Sequence, residues 1–148
     1  MISCFDWEYH YLSNFARYSV NYIGILYPTS EHAYQSFKTI DPDIRRSFKD
    51  IGSPYEAKKK GLKLELREDW DDIKDLVMYE IVLAKFSQHI EIRKKLINTG
   101  EQLIVERNTW GDTYWGVCDG QGQNKLGIIL MKVREELRPQ IEPYKLDF

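Results

Sequence analysis

A chain of 148 residues, 43% hydrophobic and 30% charged, fits one soluble globular domain large enough to bury its own core, so it needs neither a disulfide scaffold nor a structural metal. A formal net charge of −2 excludes a broad basic face for non-specific nucleic-acid binding, while leaving room for a local basic pocket. Cys4 and Cys118 read as free thiols of a reducing compartment, no run of about 18 apolar residues marks a membrane span, and Met1 to His10 lacks the pattern of a secretion signal, so a cytoplasmic location is expected.

From Phe5 to Tyr27 the chain is rich in aromatic and β-branched residues. Tyr18-Ser-Val20 and Ile23–Tyr27, separated by Asn21-Tyr22, predict a pair of short strands. At Pro28-Thr29-Ser30 the pattern switches. A hydroxyl residue there can cap a helix, and Glu31 sits in the first turn, where the helix dipole favours a carboxylate. That helix is expected from about Ser30 to Thr39. Asp41-Pro42 starts a second through Phe48, and Ser53-Pro54 a third to about Leu64, whose Lys58-Lys59-Lys60 run reads as a solvated face. Trp70, Ile73, Leu76, Val77, Ile81 and Ala84 recur at the helical period and predict the longest helix. A short helix follows from Ile90 to Asn98, and Leu103-Ile104-Val105 reads as a buried strand. A polar, glycine-bearing loop spans Asn108 to Gln123. Leu126, Ile129, Leu130, Val133 and Leu137 line the last helix, limited by Pro139. The sum is α+β: a compact, mostly helical single domain over 1–148, with a small sheet joining the N-terminal strands to the 103–105 segment.

Three segments hold more polar and aromatic detail than packing requires. In Tyr11-Leu-Ser-Asn-Phe15, Ser13 and Asn14 either form a turn or stand at a pocket rim. In Tyr27–Lys38, Glu31, Tyr34, Gln35 and Lys38 fall at i, i+3, i+4 and i+7 and share one helix face. Such a face is either solvated or a source of acid, base and nucleophile. His32 reads as a hydrogen-bonded packing histidine, since no second His or Cys stands at metal-ligand spacing. In Glu106–Gly116, Trp110 and Trp115 flank Asp112 within a loop relieved by Gly111 and Gly116. Rings so placed either line a cleft for a flat ligand or pack the loop shut. The glycines of Asp119–Gly127 lead into a helix N-terminus whose N–H groups could face a phosphate, but they form neither a Walker A nor a dinucleotide motif.

Together these blocks resemble the NADAR, or YbiA-like, family: Tyr11–Phe15, Tyr27–Gln35 with Lys38, Trp110-Gly-Asp112, Trp115-Gly116 and Asn124-Lys-Leu-Gly127, in the family's order. The likeness runs from about Phe5 to Glu136. It implies a compact, mostly helical α+β fold and N-glycosidase chemistry without metal or organic cofactor. The implied substrates are small ribosyl phosphates, namely ribosylaminopyrimidine 5′-phosphates of riboflavin synthesis, or ADP-ribose on guanine, which would make ADP-ribosylated nucleic acid a partner. Either places a ribose C1–N bond beside a phosphate. Under that resemblance Glu31, Lys38 and Asp112 are the catalytic candidates, with Lys38 either binding substrate or forming a Schiff base. Ser13, Asn14, Tyr34, Gln35, Trp110, Gly111, Trp115 and Asn124 are the substrate-binding candidates. A non-catalytic module for ADP-ribose or NAD derivatives is the alternative.

Overall fold

The computed structural model describes residues 1–138. Pro139, expected to limit the last helix, lies outside them. A 3-10 helix over Trp7–Leu12 opens the chain, where the sequence showed no helix signal. Next come a hairpin of β1 (Val20–Tyr22) and β2 (Ile25–Tyr27), then α1 (Ser30–Ser36), α2 (Pro42–Ser47) and α3 (Pro54–Leu62). After these come α4 (Trp70–Gln88), α5 (Ile90–Asn98) and α6 (Lys125–Leu137), the last element among the described residues. The α+β expectation holds, and none of the described helices is long and apolar enough to cross a membrane.

Two strand expectations need correction. The hairpin turns at Ile23-Gly24, both at positive φ (47° and 79°), and Asn21-Tyr22 belong to β1. The glycine adopts that conformation freely, so it fixes the turn. The sheet is two-stranded, and the 103–105 segment does not join it. Ile104 instead makes a parallel bridge to Ile2: Ile2 N–H donates to the Leu103 carbonyl and Val105 N–H to that of Ile2 (2.7 and 2.8 Å). Only Ile104 of the three is buried (Leu103 is exposed), so the segment has one inward anchor rather than a strand's worth.

α4 is the central strut and packs on α1, β1, α5 and α6. Its buried arc differs from the expected stripe. Trp70, Val77 and Ile81 are buried as expected, but Leu76 faces solvent, and Ile73 and Ala84 are only partly covered. Met78, Val82, Lys85 and Phe86 complete the arc, because neighbours on several sides rotate it away from residue 76. α1 is covered along its whole length by α3, α4 and the hairpin, so all seven of its residues are buried, polar ones included. Thr29 caps it by accepting from His32 N–H (3.3 Å). His32 is the packing histidine its sequence context suggested. Nε2 lies 3.0 Å from the Ile51 carbonyl, an acceptor only, which puts the proton on Nε2 and leaves Nδ1 to accept from the Thr29 hydroxyl (2.7 Å).

Candidate active site

Glu31 and Gln35 lie one helical turn apart on α1 and are both nearly inaccessible (7% and 3% exposed). Gln35 Nε2 donates to Glu31 Oε1 across 2.8 Å. The Gln35 amide fits there because α3 presents Gly61: a Cβ at that position would stand 1.8 Å from Gln35 Oε1. The N-terminus of α1 is tied to the 11–15 turn. Glu31 N–H donates to the Asn14 carbonyl (3.1 Å), and Ser30 Oγ to Asn14 Oδ1 (2.9 Å). Asn14 Nδ2 points to Met78 Sδ at 3.4 Å, and Ser13 Oγ accepts from Phe15 N–H at 3.1 Å. The polar atoms of Ser13 and Asn14 are thus engaged within the protein, and these residues seat Glu31. Lys38 lies two residues beyond the end of α1, half-buried, with Nζ 5.7 Å from the Tyr34 ring centroid.

The aromatic loop reaches α1 from the far end of the chain. Asn108 clamps it, with Oδ1 accepting from Asp112 N–H (3.0 Å) and Nδ2 donating to the Asp112 carbonyl (2.8 Å). Asp112 Oδ1 accepts from the N–H groups of Tyr114 and Trp115 (3.0 and 2.9 Å), while Oδ2 accepts from none of the described residues. That turn points Trp115 at α1. Tyr34 is held between Trp70 and Trp115, with ring centroids 5.3 and 5.5 Å away. Gly111 supplies a positive φ of 85°. Trp110 is 62% exposed at the rim, with Lys58 Nζ 5.9 Å from its ring centroid.

The glycine-rich approach to α6 has a different use from the one expected. The N–H groups of Gln123, Asn124, Lys125 and Leu126 donate to the carbonyls of Thr113, Gly116, Tyr114 and Trp115 at 2.8 to 3.3 Å. The helix N-terminus therefore binds the aromatic loop, and the N–H groups of residues 123–126 are not free for a phosphate. Asn124 stands at φ 51°, with Oδ1 accepting from Glu106 N–H (2.9 Å) and Nδ2 donating to the Ile104 carbonyl (3.0 Å). Its amide is a clamp between α6 and the 104–106 segment.

Electrostatics joins these elements. Burial raises the pKa of Glu31 and the charge of Asp112 adds to the rise, while Gln35, Lys58 and Lys38 oppose it. Burial lowers Lys38, with Glu31 opposing and Lys58 and Lys74 adding. Tyr34 is raised by burial first, with Glu31 and Asp112 contributing. Glu31, Tyr34, Gln35, Lys38, Asp112 and Trp115 are brought together; Trp110 and Gly111 lie at the rim; Ser13, Asn14 and Asn124 support from behind. Sequence reading missed four contributors. Lys58 turns inward although Lys59 beside it is exposed; Glu106 is half-buried, with Oε2 inaccessible and its pKa pushed up to about 7; Gly61 and Trp70 shape the walls. The periodicity of α3 puts Gly61 three residues from Lys58, the one signal that could have found that pair. A cavity of about 580 Å³ lies beyond the loop, between Trp110, Arg107 and the N-terminal Met1–Asp6 stretch, and neither Glu31 nor Asp112 lines it.

Residues 4–138 match the NADAR domain. The chain is 38% identical over 133 residues to N-glycosidase YbiA of Escherichia coli (strain K12), covering 88% of this chain and 82% of that protein. It is also 38% identical over 146 residues to riboflavin biosynthesis protein VVA0006 of Vibrio vulnificus, covering 95% of this chain and 39% of that protein. The NMR structure of E. coli YbiA superposes with a TM-score of 0.86 at 34% identity, over 100% of this chain and 92% of that one. With a matching fold, relatives 38% identical over most of the chain and a family match along residues 4–138, the chain belongs to the NADAR domain family.

Proposed function

We infer that the chain is an N-glycosidase, a hydrolase of small-molecule glycosyl substrates, and that it cuts the C1–N bond of a phosphorylated ribose. Relatives named N-glycosidase support the activity. One observation carries the residue assignment: the loop turn that Asp112 organises packs its Trp115 ring on Tyr34, one turn along α1 from Glu31.

Breaking a ribosyl C–N bond leaves an electron pair on nitrogen and positive charge at C1. Glu31, raised by burial, is suited to carry a proton and give it to the departing nitrogen. Asp112, with Oδ2 open, faces the oxocarbenium and takes a proton from the water whose oxygen attacks C1. The products are free base and ribose phosphate, and the proton on Asp112 restores Glu31 through solvent. Trp115 and Tyr34 screen the cation from bulk water, and Lys58 stands at the mouth beside Trp110 to meet a phosphate. Ribosylaminopyrimidine 5′-phosphates fit this scheme, and the name of the Vibrio relative favours them over ADP-ribosyl-guanine. A second reading rests on Lys38, whose burial favours a neutral amine able to attack C1 of an opened ribose as a Schiff-base nucleophile.

One incubation tests all of this. Wild-type protein with either substrate class should release base, detected by mass spectrometry. Glu31→Gln should lose that release by on the order of 10²–10⁴-fold while keeping ligand affinity. If wild-type protein binds both substrates and releases no base, the chain is a binding module. Borohydride in the same reaction settles Lys38: a ribosyl adduct there makes it the nucleophile, and none leaves it to bind substrate.

A further inference from the structure

Glu106 stands at the head of the aromatic loop and takes no part in the scheme above, on which the inference below builds. Its backbone is fixed on both sides. The N–H donates to Asn124 Oδ1 (2.9 Å), and the carbonyl accepts from Val117 N–H (2.8 Å). Its side chain turns beneath the loop. A Cβ on Gly116 would stand 1.9 Å from Glu106 Oε2 and 2.7 Å from Asn108 Nδ2, so the carboxyl and the Asn108 amide crowd one point over Gly116. Asn108 is the residue that clamps Asp112. Glu106 Oε2 is buried and accepts from none of the described residues. An ionised oxygen in that position would be costly, whereas a protonated carboxyl carries no charge to desolvate.

We propose that Glu106 is a positioning residue of the active site: seated between Gly116 and the Asn108 amide, its carboxyl in the neutral form holds the Asn108–Asp112 clamp in place. Burial first, then the charge of Asp112, pushes its pKa up to about 7, with Glu31 adding while Lys58 and the Asn108 amide oppose. The sign follows from linkage. A carboxyl raised in the folded state contributes fully below its unfolded value of about 4.3, and that contribution is lost as pH rises through the folded value. Ionisation places a second anion beside Asp112, with the Asn108 amide as the donor near it, and loosens the loop that presents Asp112 and Trp115.

The test is carboxyl ¹³C NMR of glutamate-labelled full-length protein, read beside pH profiles of kcat/KM for base release. One glutamate signal, absent from Glu106→Gln, should titrate near 7. The Asp112 amide and Trp115 indole signals should shift with the same midpoint, in wild type alone. Glu106→Gln, which mimics the neutral acid, should keep kcat/KM within about threefold at low pH and lose the wild-type fall on the alkaline side. Glu106→Ala should lose about tenfold or more at every pH. A Glu106 signal that titrates in the ordinary carboxylate range, loop signals that ignore the titration, or a Glu106→Gln profile identical to wild type overturns the proposal. If the titration and the coupled loop shifts appear while wild type releases no base, the positioning role stands and the glycosidase reading fails.

Discussion

A glycine inside a helix ordinarily costs on the order of 1 kcal/mol relative to alanine, yet α3 keeps Gly61 where the Gln35 amide arrives. The exchange is local stability for the position of Glu31. Gly61→Ala should therefore show an unusual combination. Helix propensity favours the change, but the added Cβ must push Gln35 away and break its bond to Glu31. We expect kcat/KM to fall by about tenfold or more while the melting temperature moves by only a few degrees. Parallel steady-state kinetics and thermal melts check this, and unchanged kinetics would show that Gln35 does not steer Glu31. At this scale much of the site was legible. The i, i+3, i+4 spacing put Glu31, Tyr34 and Gln35 on one face of α1, whereas Lys38 at i+7 lies beyond the helix, which ends at Ser36 rather than the expected Thr39. Lys58 and Glu106 were illegible, because a lysine in a basic run and a glutamate before a loop look like solvent residues until packing covers them.

Between elements, the decisive joint is the one linking the aromatic loop, α6 and the 104–106 segment. Four N–H groups at the start of α6 hold the loop carbonyls, and the Asn124 side chain stitches both to Ile104 and Glu106. Asn124→Ala removes two hydrogen bonds and forces alanine to φ 51°. The cost should be about 2–4 kcal/mol, or a melting temperature lower by roughly 10 °C. Below the melt, kcat should stay within about threefold of wild type, as fits a clamp rather than a substrate ligand. A stable variant with a sharply raised KM would return Asn124 to the list of substrate contacts. The α-helices were foreseeable from capping residues and periodicity, with α5 as expected and α1 and α3 ending two or three residues early, whereas the 3-10 helix over Trp7–Leu12 was not. The 103–105 pairing was not, because its partner is a single residue at the opposite end of the chain.

At the scale of the whole molecule, one buried lysine ties the central helix to the N-terminal turn. Lys85 of α4 is 1% exposed, and Nζ donates to the carbonyls of Tyr11 and Ser13 (2.6 and 2.9 Å). It thus fixes the turn that seats α1, and burial lowers its pKa to about 7. A lysine depressed in the folded state costs stability where it must be charged, so its contribution is complete above the unfolded pKa of about 10.4 and falls as pH drops through 7. Lys85→Met removes that titration. Wild type should gain stability over the variant, by on the order of 1 kcal/mol, between about pH 7 and pH 8.5. Denaturant melts at the two pH values check the sign, and a difference that stays flat would mean Lys85 titrates normally. By itself the sequence determined the helix order, the α+β class and the acidic and aromatic blocks, since capping, periodicity and turn chemistry act over a few residues. Tertiary structure alone decided which polar groups are buried, such as Lys85 and Asn14, and which are bonded across the fold, such as Asn124. Desolvation and hydrogen-bond satisfaction depend on neighbours that only the folded chain brings together.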